Sequence, residues 1–182
     1  MLSNLFLKRG AAIIAKPTGI RSFALDASHL QKAARDPAHL NWSQFFAGAR
    51  ASDVAGSDVQ SVANLLKVLS HLDAESKEAR ENEALFKAVD EYFRLKFRKM
   101  QPKEALDIML PLGEDTEHKL AVMDDKFWLW ETVDEALRPV ISDLPEEQII
   151  SLMKAFGANY KGSEDLWDYL MQKVHYHGAQ PF

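Results

Sequence analysis

Apolar positions along this chain recur at three- and four-residue spacing, and no segment sustains an alternation in twos. Val59, Val62, Leu65, Leu66, Leu69 and Leu72 form one stripe, and Leu85, Phe86, Val89, Tyr92, Phe93 and Phe97 form the next. Such spacing lays apolar side chains along one face of a helix, whereas a half-buried strand needs a period of two. The pattern therefore predicts an all-α fold. Ser28 to about Asp36 reads as a short helix stopped by Pro37, because proline disfavours helical geometry in the residue before it. Leu40 to about Arg50 reads as a second, with Trp42, Phe45 and Phe46 as its apolar cluster, and the small residues from Ala51 to Ser57 read as a loop.

Three helical hairpins are expected after that loop. The first opens at Ser57, whose hydroxyl can cap while Gln60 takes the reciprocal position. Its polar stretch Asp73 to Asn82 leads into or begins the partner helix. The second opens at Pro102, is kinked or ended early by Pro111, and stops at Gly113; its partner runs from about Asp124 to Leu137, before Pro139. The third opens with Asp143-Leu144-Pro145-Glu146-Glu147, ends at Gly157, and is followed by a helix capped by Ser163 and packed through Leu166, Trp167, Tyr169, Leu170 and Val174.

The hairpins resemble one another. Val62-Ala63-Asn64-Leu65-Leu66-Lys67-Val68-Leu69-Ser70 aligns without a gap on Ile149-Ile150-Ser151-Leu152-Met153-Lys154-Ala155-Phe156-Gly157, and more loosely on Ala105 to Gly113. The successive offsets are 43 and 44 residues. The second helices echo too, with Lys126-Phe127-Trp128-Leu129-Trp130 over Asp165-Leu166-Trp167-Asp168-Tyr169. A fixed period of about 20–50 residues indicates stacked units, since one hairpin cannot bury its own apolar face. The expected architecture is a short right-handed solenoid of about three hairpins (residues 57–177) after an N-terminal helical arm, with helices and a linker over 24–56 and a tail at 178–182.

Composition narrows the function. The 182 residues are 47% hydrophobic and 27% charged, which is a globular balance. The absence of cysteine excludes disulfides, thiolate zinc sites and cysteine nucleophiles. The longest apolar run, Phe127 to Trp130, is far shorter than the roughly 20 residues a membrane-spanning helix needs. Charge is unevenly placed. Residues 1–23 carry Lys8, Arg9, Lys16 and Arg21 with no acid, leaving 18 basic against 27 acidic residues in the body. Leu2, Leu5, Phe6, Ile13 and Ile14 make that leader amphipathic. An Arg-containing, acid-free amphipathic leader is a mitochondrial import signal, and Arg21-Ser22-Phe23-Ala24 resembles a matrix-peptidase site. The alternative is a retained N-terminal arm.

Signals for catalysis are sparse. Six histidines are scattered, with no His-Glu-x-x-His pattern and no Gly-rich phosphate loop. His175 and His177, two apart, would point about 200° away from each other on a helix, so a shared metal is not expected. The acidic groups Glu75 to Glu83, Glu114 to Glu117 and Asp124-Asp125 read as solvated faces. No catalytic residue, metal or cofactor is expected.

Binding features are clearer. Arg94, Lys96, Arg98, Lys99 and Lys103 make the one dense basic patch of the body. Cations near a helix C-terminus complement its dipole, and the same cluster can pair with carboxylates or meet phosphates of RNA or lipid. The acidic body opposes a phosphate reading. Phe127-Trp128-Leu129-Trp130 covers about 300° of a helix circumference, so either several neighbours bury it or an aromatic faces a partner. The candidate interface residues are Trp42, Trp128, Trp130 and Trp167 together with that basic patch.

Leu-Leu-Lys-Val-Leu-Ser and Leu-Met-Lys-Ala-Phe-Gly in the first helices, with Leu-Phe, Phe-Trp or Leu-Trp in the second, resemble the helical repeats of octatricopeptide and FAST-kinase-like organellar proteins over Ser57 to Val174. The resemblance implies organellar RNA binding as one function. The chain departs from that class in having three evident repeats, an acidic body and no RAP-like domain after them. It also looks like the short acidic helical-repeat subunits of large mitochondrial assemblies, including respiratory-chain and ATP synthase complexes. The expectation is a non-catalytic accessory subunit of an inner-membrane energy-converting complex, in the matrix or against the inner membrane, with other subunits as partners, contact with lipid headgroups as an addition, and no small-molecule substrate. A mitochondrial RNA-binding or ribosome-associated factor is the alternative.

Overall fold

A computed structural model describes residues 25–114, 119–123 and 127–178, with side chains to residue 174. The leader expected over 1–23, the tail from residue 179 and the expected helix start at Asp124 lie outside them. Helices account for the ordered elements, and no strand occurs among the described residues. The fold is all-α.

Among the described residues ten α-helices follow in chain order: α1 (Ala27–Arg35), α2 (Trp42–Gly48), α3 (Ala51–Val54), α4 (Val59–Leu69), α5 (Lys77–Glu81), α6 (Glu83–Lys96), α7 (Pro102–Glu114), α8 (Trp128–Leu137), α9 (Glu146–Ala158) and α10 (Glu164–Gly178). Short 3-10 turns occur at Pro37–His39 and Ile141–Asp143. The helices pack in two rows. In one, α1 lies on α4, α4 on α7 and α7 on α9; in the other, α3 lies on α6 and α6 on α8. Contacts of α7 with α8 join the rows, and α10 packs on α9. The three similar segments found in the sequence fall in α4 and its cap, in α7 and in α9, which are consecutive neighbours in the first row.

The apolar stripes face the space between the rows. Val62, Leu65, Leu66, Val68 and Leu69 of α4 are fully buried, as are Ile108 and Met109 of α7, Leu129 and Leu137 of α8, and Phe156 of α9. Each large side chain so placed contributes about 1.5–3 kcal/mol through removal from water. On α4 burial extends round most of the circumference and includes Ser61 and Ala63. This happens because α1 covers one flank and α7 the other.

Several local expectations are corrected. The cap of α4 is Asp58, whose carboxylate accepts from the Ser61 N–H at 2.7 Å. Ser57 is drawn into the core instead: its hydroxyl donates to the Asp53 carbonyl and accepts from the Leu25 N–H, both at 2.9 Å. Part of the expected loop from Ala51 is the one-turn helix α3, because Val54 is buried on α6 and holds the turn. The polar stretch before α6 contains the separate helix α5, capped by Ser76.

Neither Pro111 nor Gly113 ends α7, which continues to Glu114. Proline lacks the N–H that would reach the Asp107 carbonyl, yet packing on α9 holds the turn in place. Gly113 is the point of close approach: a Cβ added there would collide with the Ser151 carbonyl and stand 2.8 Å from its carbon. In the same way α9 passes through Gly157 to Ala158, and the left-handed residues are Tyr160 (φ 56°) and Gly162 (φ 98°).

Candidate interaction surface

The four tryptophans are used for packing between elements. Trp42 stacks on Phe46 with ring centres 5.9 Å apart, and Phe46 in turn meets Phe86 of α6 at 6.5 Å. Trp130 is 6% exposed and packs on Phe156 at 6.0 Å, joining α8 to α9. Trp167 is half-buried, and its indole N–H donates to the Lys161 carbonyl at 2.9 Å. Trp128, also half-buried, packs on Phe97 at 5.3 Å. The Phe127 to Trp130 run is therefore enclosed from several sides, with Phe127 and Leu129 buried as well.

The basic patch divides into paired and unpaired cations. Arg94 holds Glu91 through two charge-assisted hydrogen bonds, from Nε at 2.6 Å and Nη2 at 2.5 Å. Lys96 donates to Glu104 at 2.8 Å and lies 5.4 Å from the centre of the Tyr92 ring. Burial works against both charges of that pair, but the Lys96 hydrogen bond, the Gln101 N–H and the lysine charge together hold the Glu104 carboxyl below its ordinary range. The same contact outweighs the burial of Lys96 and raises its pKa. Burial also pushes the Tyr92 hydroxyl up. Arg98, Lys99 and Lys103 are exposed, and none makes an ion pair among the described residues. The structure thus brings Trp128 to the patch through Phe97, sets Trp130 on a cleft that Phe97 also borders, and leaves Trp42 and Trp167 elsewhere.

Two aspartates not singled out in the sequence join the second helices. Asp90 of α6 accepts from the backbone N–H of Trp128, the first residue of α8, at 2.8 Å. Asp134 of α8 accepts from the backbone N–H of Ser163, just before α10, at 2.7 Å. Each therefore supplies a carboxylate to the start of the following second helix, where N–H groups are unsatisfied and the dipole favours negative charge. Asp90 and Asp134 are 44 residues apart, the offset between the similar segments. Asp134 is 4% exposed and also accepts from Arg138 Nε at 2.6 Å. The signal was present: Asp134 occupies a core position in the stripe Trp130, Val133, Leu137. Thr132 adds a further tie, donating to the Phe93 carbonyl at 3.1 Å. Asn159 accepts from the Leu120 N–H at 2.9 Å and so binds the segment after α7 to the end of α9.

Two clefts open on this surface. One of about 530 Å³ is lined by Glu83, Phe86, Lys87, Asp90, Met123 and Phe127. The other, about 420 Å³, lies between Phe97, Trp130, Glu131, Glu135 and Ser163. Among the described residues no group of three or more metal-ligating side chains converges, and no helix is long and apolar enough to cross a membrane. Comparison of the chain with protein-family models, curated proteins and solved structures gives no match.

Proposed function

We propose that the chain is a helical-hairpin interaction scaffold, a short right-handed solenoid acting as a non-catalytic accessory subunit of a large mitochondrial inner-membrane complex. The observation that supports the scaffold is the recurrence of one connection. Asp90 and Asp134, one repeat apart, each tie a second helix to the start of the next. A protein built by repeating a joint presents an extended surface made from successive units, and such surfaces bind other macromolecules. The exposed cations of the α6–α7 turn lie on that surface. The mitochondrial address rests on the basic amphipathic leader.

The test is to tag the chain in its native cells, solubilise with mild detergent, and resolve the extract on native gels with mass spectrometry of the tagged band. Co-migration with a respiratory or ATP synthase complex is the expected result. A tagged species that runs at its own mass in every extract refutes the subunit reading. Recovery of crosslinked RNA with that species moves the chain to the RNA-binding class.

A further inference from the structure

The turn after α6 has a residue where its geometry disfavours one. Lys99 N–H donates to the Lys96 carbonyl at 2.8 Å, Phe97 has φ −52° and ψ 132°, and Arg98 has φ 59°. These values describe a type II turn whose third position suits glycine or asparagine. Arg98 occupies it, with its guanidinium carbon 5.3 Å from the centre of the Phe97 ring. Among the described residues neither Arg98 nor its exposed neighbour Lys99 meets a carboxylate.

The other side of Phe97 carries the opposite charge. Phe97 lines the 420 Å³ cleft together with Glu131 and Glu135 of α8. These glutamates stand one helical turn apart and exposed, and neither makes an ion pair within 4.0 Å among the described residues, although the Arg138 charge attracts Glu135. Arg138 also borders the cleft but is committed to Asp134 at 2.6 Å and Asp165 at 3.7 Å; Lys161 completes the wall. Phe97 thus adjoins both the exposed cations of the turn and a cleft that holds the exposed carboxylates Glu131 and Glu135.

We propose that this surface is a self-association face, which binds a second copy of the chain about a two-fold axis. A two-fold contact is self-complementary, so any group meeting another across it is met by the same pair in reverse. A face with adjoining cationic and anionic halves meets that condition. Arg98 and Lys99 of each copy reach Glu131 and Glu135 of the other, and the Phe97 rings lie near the axis. An extended polyphosphate or an anionic bilayer fits worse, because it would meet Glu131 and Glu135 beside the cations. Two chains of net charge −5 repel, so the dimer is weak and sensitive to salt.

Sedimentation of the purified full chain tests this directly. At about 0.05 M salt the mass should rise with concentration from 20.6 kDa toward the dimer, and about 0.5 M salt should reverse it. Arg98→Glu/Lys99→Glu and Glu131→Lys/Glu135→Lys should each sediment as monomers. An equimolar mixture of the two should restore the dimer, because every reversed charge then faces its complement. Arg98→Gly, which suits the turn, should fold normally and weaken association about tenfold. A wild-type chain that stays monomeric at low salt overturns the proposal. So does a mixture that fails to associate, or a single reversal that dimerises like the wild type.

Discussion

Replacing Gly113 by alanine is the sharpest probe of how the first row is built. Away from tertiary contacts, Gly→Ala in a helix stabilises by about 0.8–1 kcal/mol through propensity. At Gly113 the added methyl would collide with the backbone carbonyl of Ser151 and stand 2.8 Å from its carbon and 3.1 Å from its Cα. Backbone cannot rotate out of the way as a side chain can, so α7 and α9 must separate by roughly 1 Å, a gap that forfeits a quarter to a half of each dispersion contact across it. Ile108, Met109, Ile149 and Leu152 are fully buried and lose most. Overpacking of this kind costs about 1–3 kcal/mol or more, and the rigidity of both partners places this case at the upper end. After the propensity gain, a net loss of about 2–3 kcal/mol is expected, lowering Tm by about 4–12 °C for a chain of this length. Urea unfolding followed by far-ultraviolet circular dichroism measures it. Gly157→Ala is the internal control: its Cβ would meet only the far edge of Trp167 at 3.6 Å, so it should stabilise by about 0.4–1 kcal/mol. If Gly113→Ala unfolds at the same urea concentration as Gly157→Ala, the close approach of α7 and α9 is refuted.

Asp134→Ala should destabilise by about 2–4 kcal/mol, since it strips the partner from Arg138 and an acceptor from the start of α10. Asp134→Asn, which keeps an acceptor for the Ser163 N–H, should lose less, and urea midpoints separate the two. Asp58→Ala should cost about 1 kcal/mol as a lost cap. The reciprocal substitution Gln60→Ala should change the urea midpoint little, because no hydrogen bond to Gln60 supports that cap. For Lys96 and Glu104, the carboxyl is held below its ordinary 4.5, so its stabilisation is present above about pH 4.5 and fades as pH falls through the lowered value. The lysine is held above its ordinary 10.5, so its contribution is present below about pH 10.5 and fades as pH rises through the raised value. A double-mutant cycle with Lys96→Met and Glu104→Gln should therefore return a coupling of about 1 kcal/mol at pH 7 that fades as pH falls through the lowered Glu104 value.

The stripes on α6 and α9 were legible because their burial pattern follows a period of 3.6, whereas α4 is buried round most of its circumference and Tyr169, expected to pack on α10, is exposed. Ser163 was legible as a cap for the same local reason, and its hydroxyl accepts from the Leu166 N–H at 3.1 Å. What the sequence misjudged was decided by distant partners. Proline and glycine at 111 and 113 carry local stop signals, but α9 lies against that turn and overrides them. Ser57 has the side chain of a cap, yet Leu25, 32 residues earlier, claims its hydroxyl and Asp58 takes the role. The core position of Asp134 was legible in its own stripe, but the partners of Asp90 and Asp134 were not, because nothing in their own helices shows that another helix begins beside them. The division of the basic patch was only partly hidden: Glu91 neutralises Arg94 three residues along the same helix, but Glu104 neutralises Lys96 only once α6 and the start of α7 have met.

The enclosure of α4 sets the order in which the molecule opens. Amides exchange with solvent only when their helix is released, and the free energy of release grows with the apolar surface that must be uncovered. α10 still shows Tyr169 at 49% and Met171 at 40% exposure, so it can lift away with few neighbours disturbed. Freeing α4 requires both α1 and α7 to leave first. In deuterium-labelling experiments its N–H groups should be the last to exchange, marking the middle of the first row as the part that survives partial unfolding.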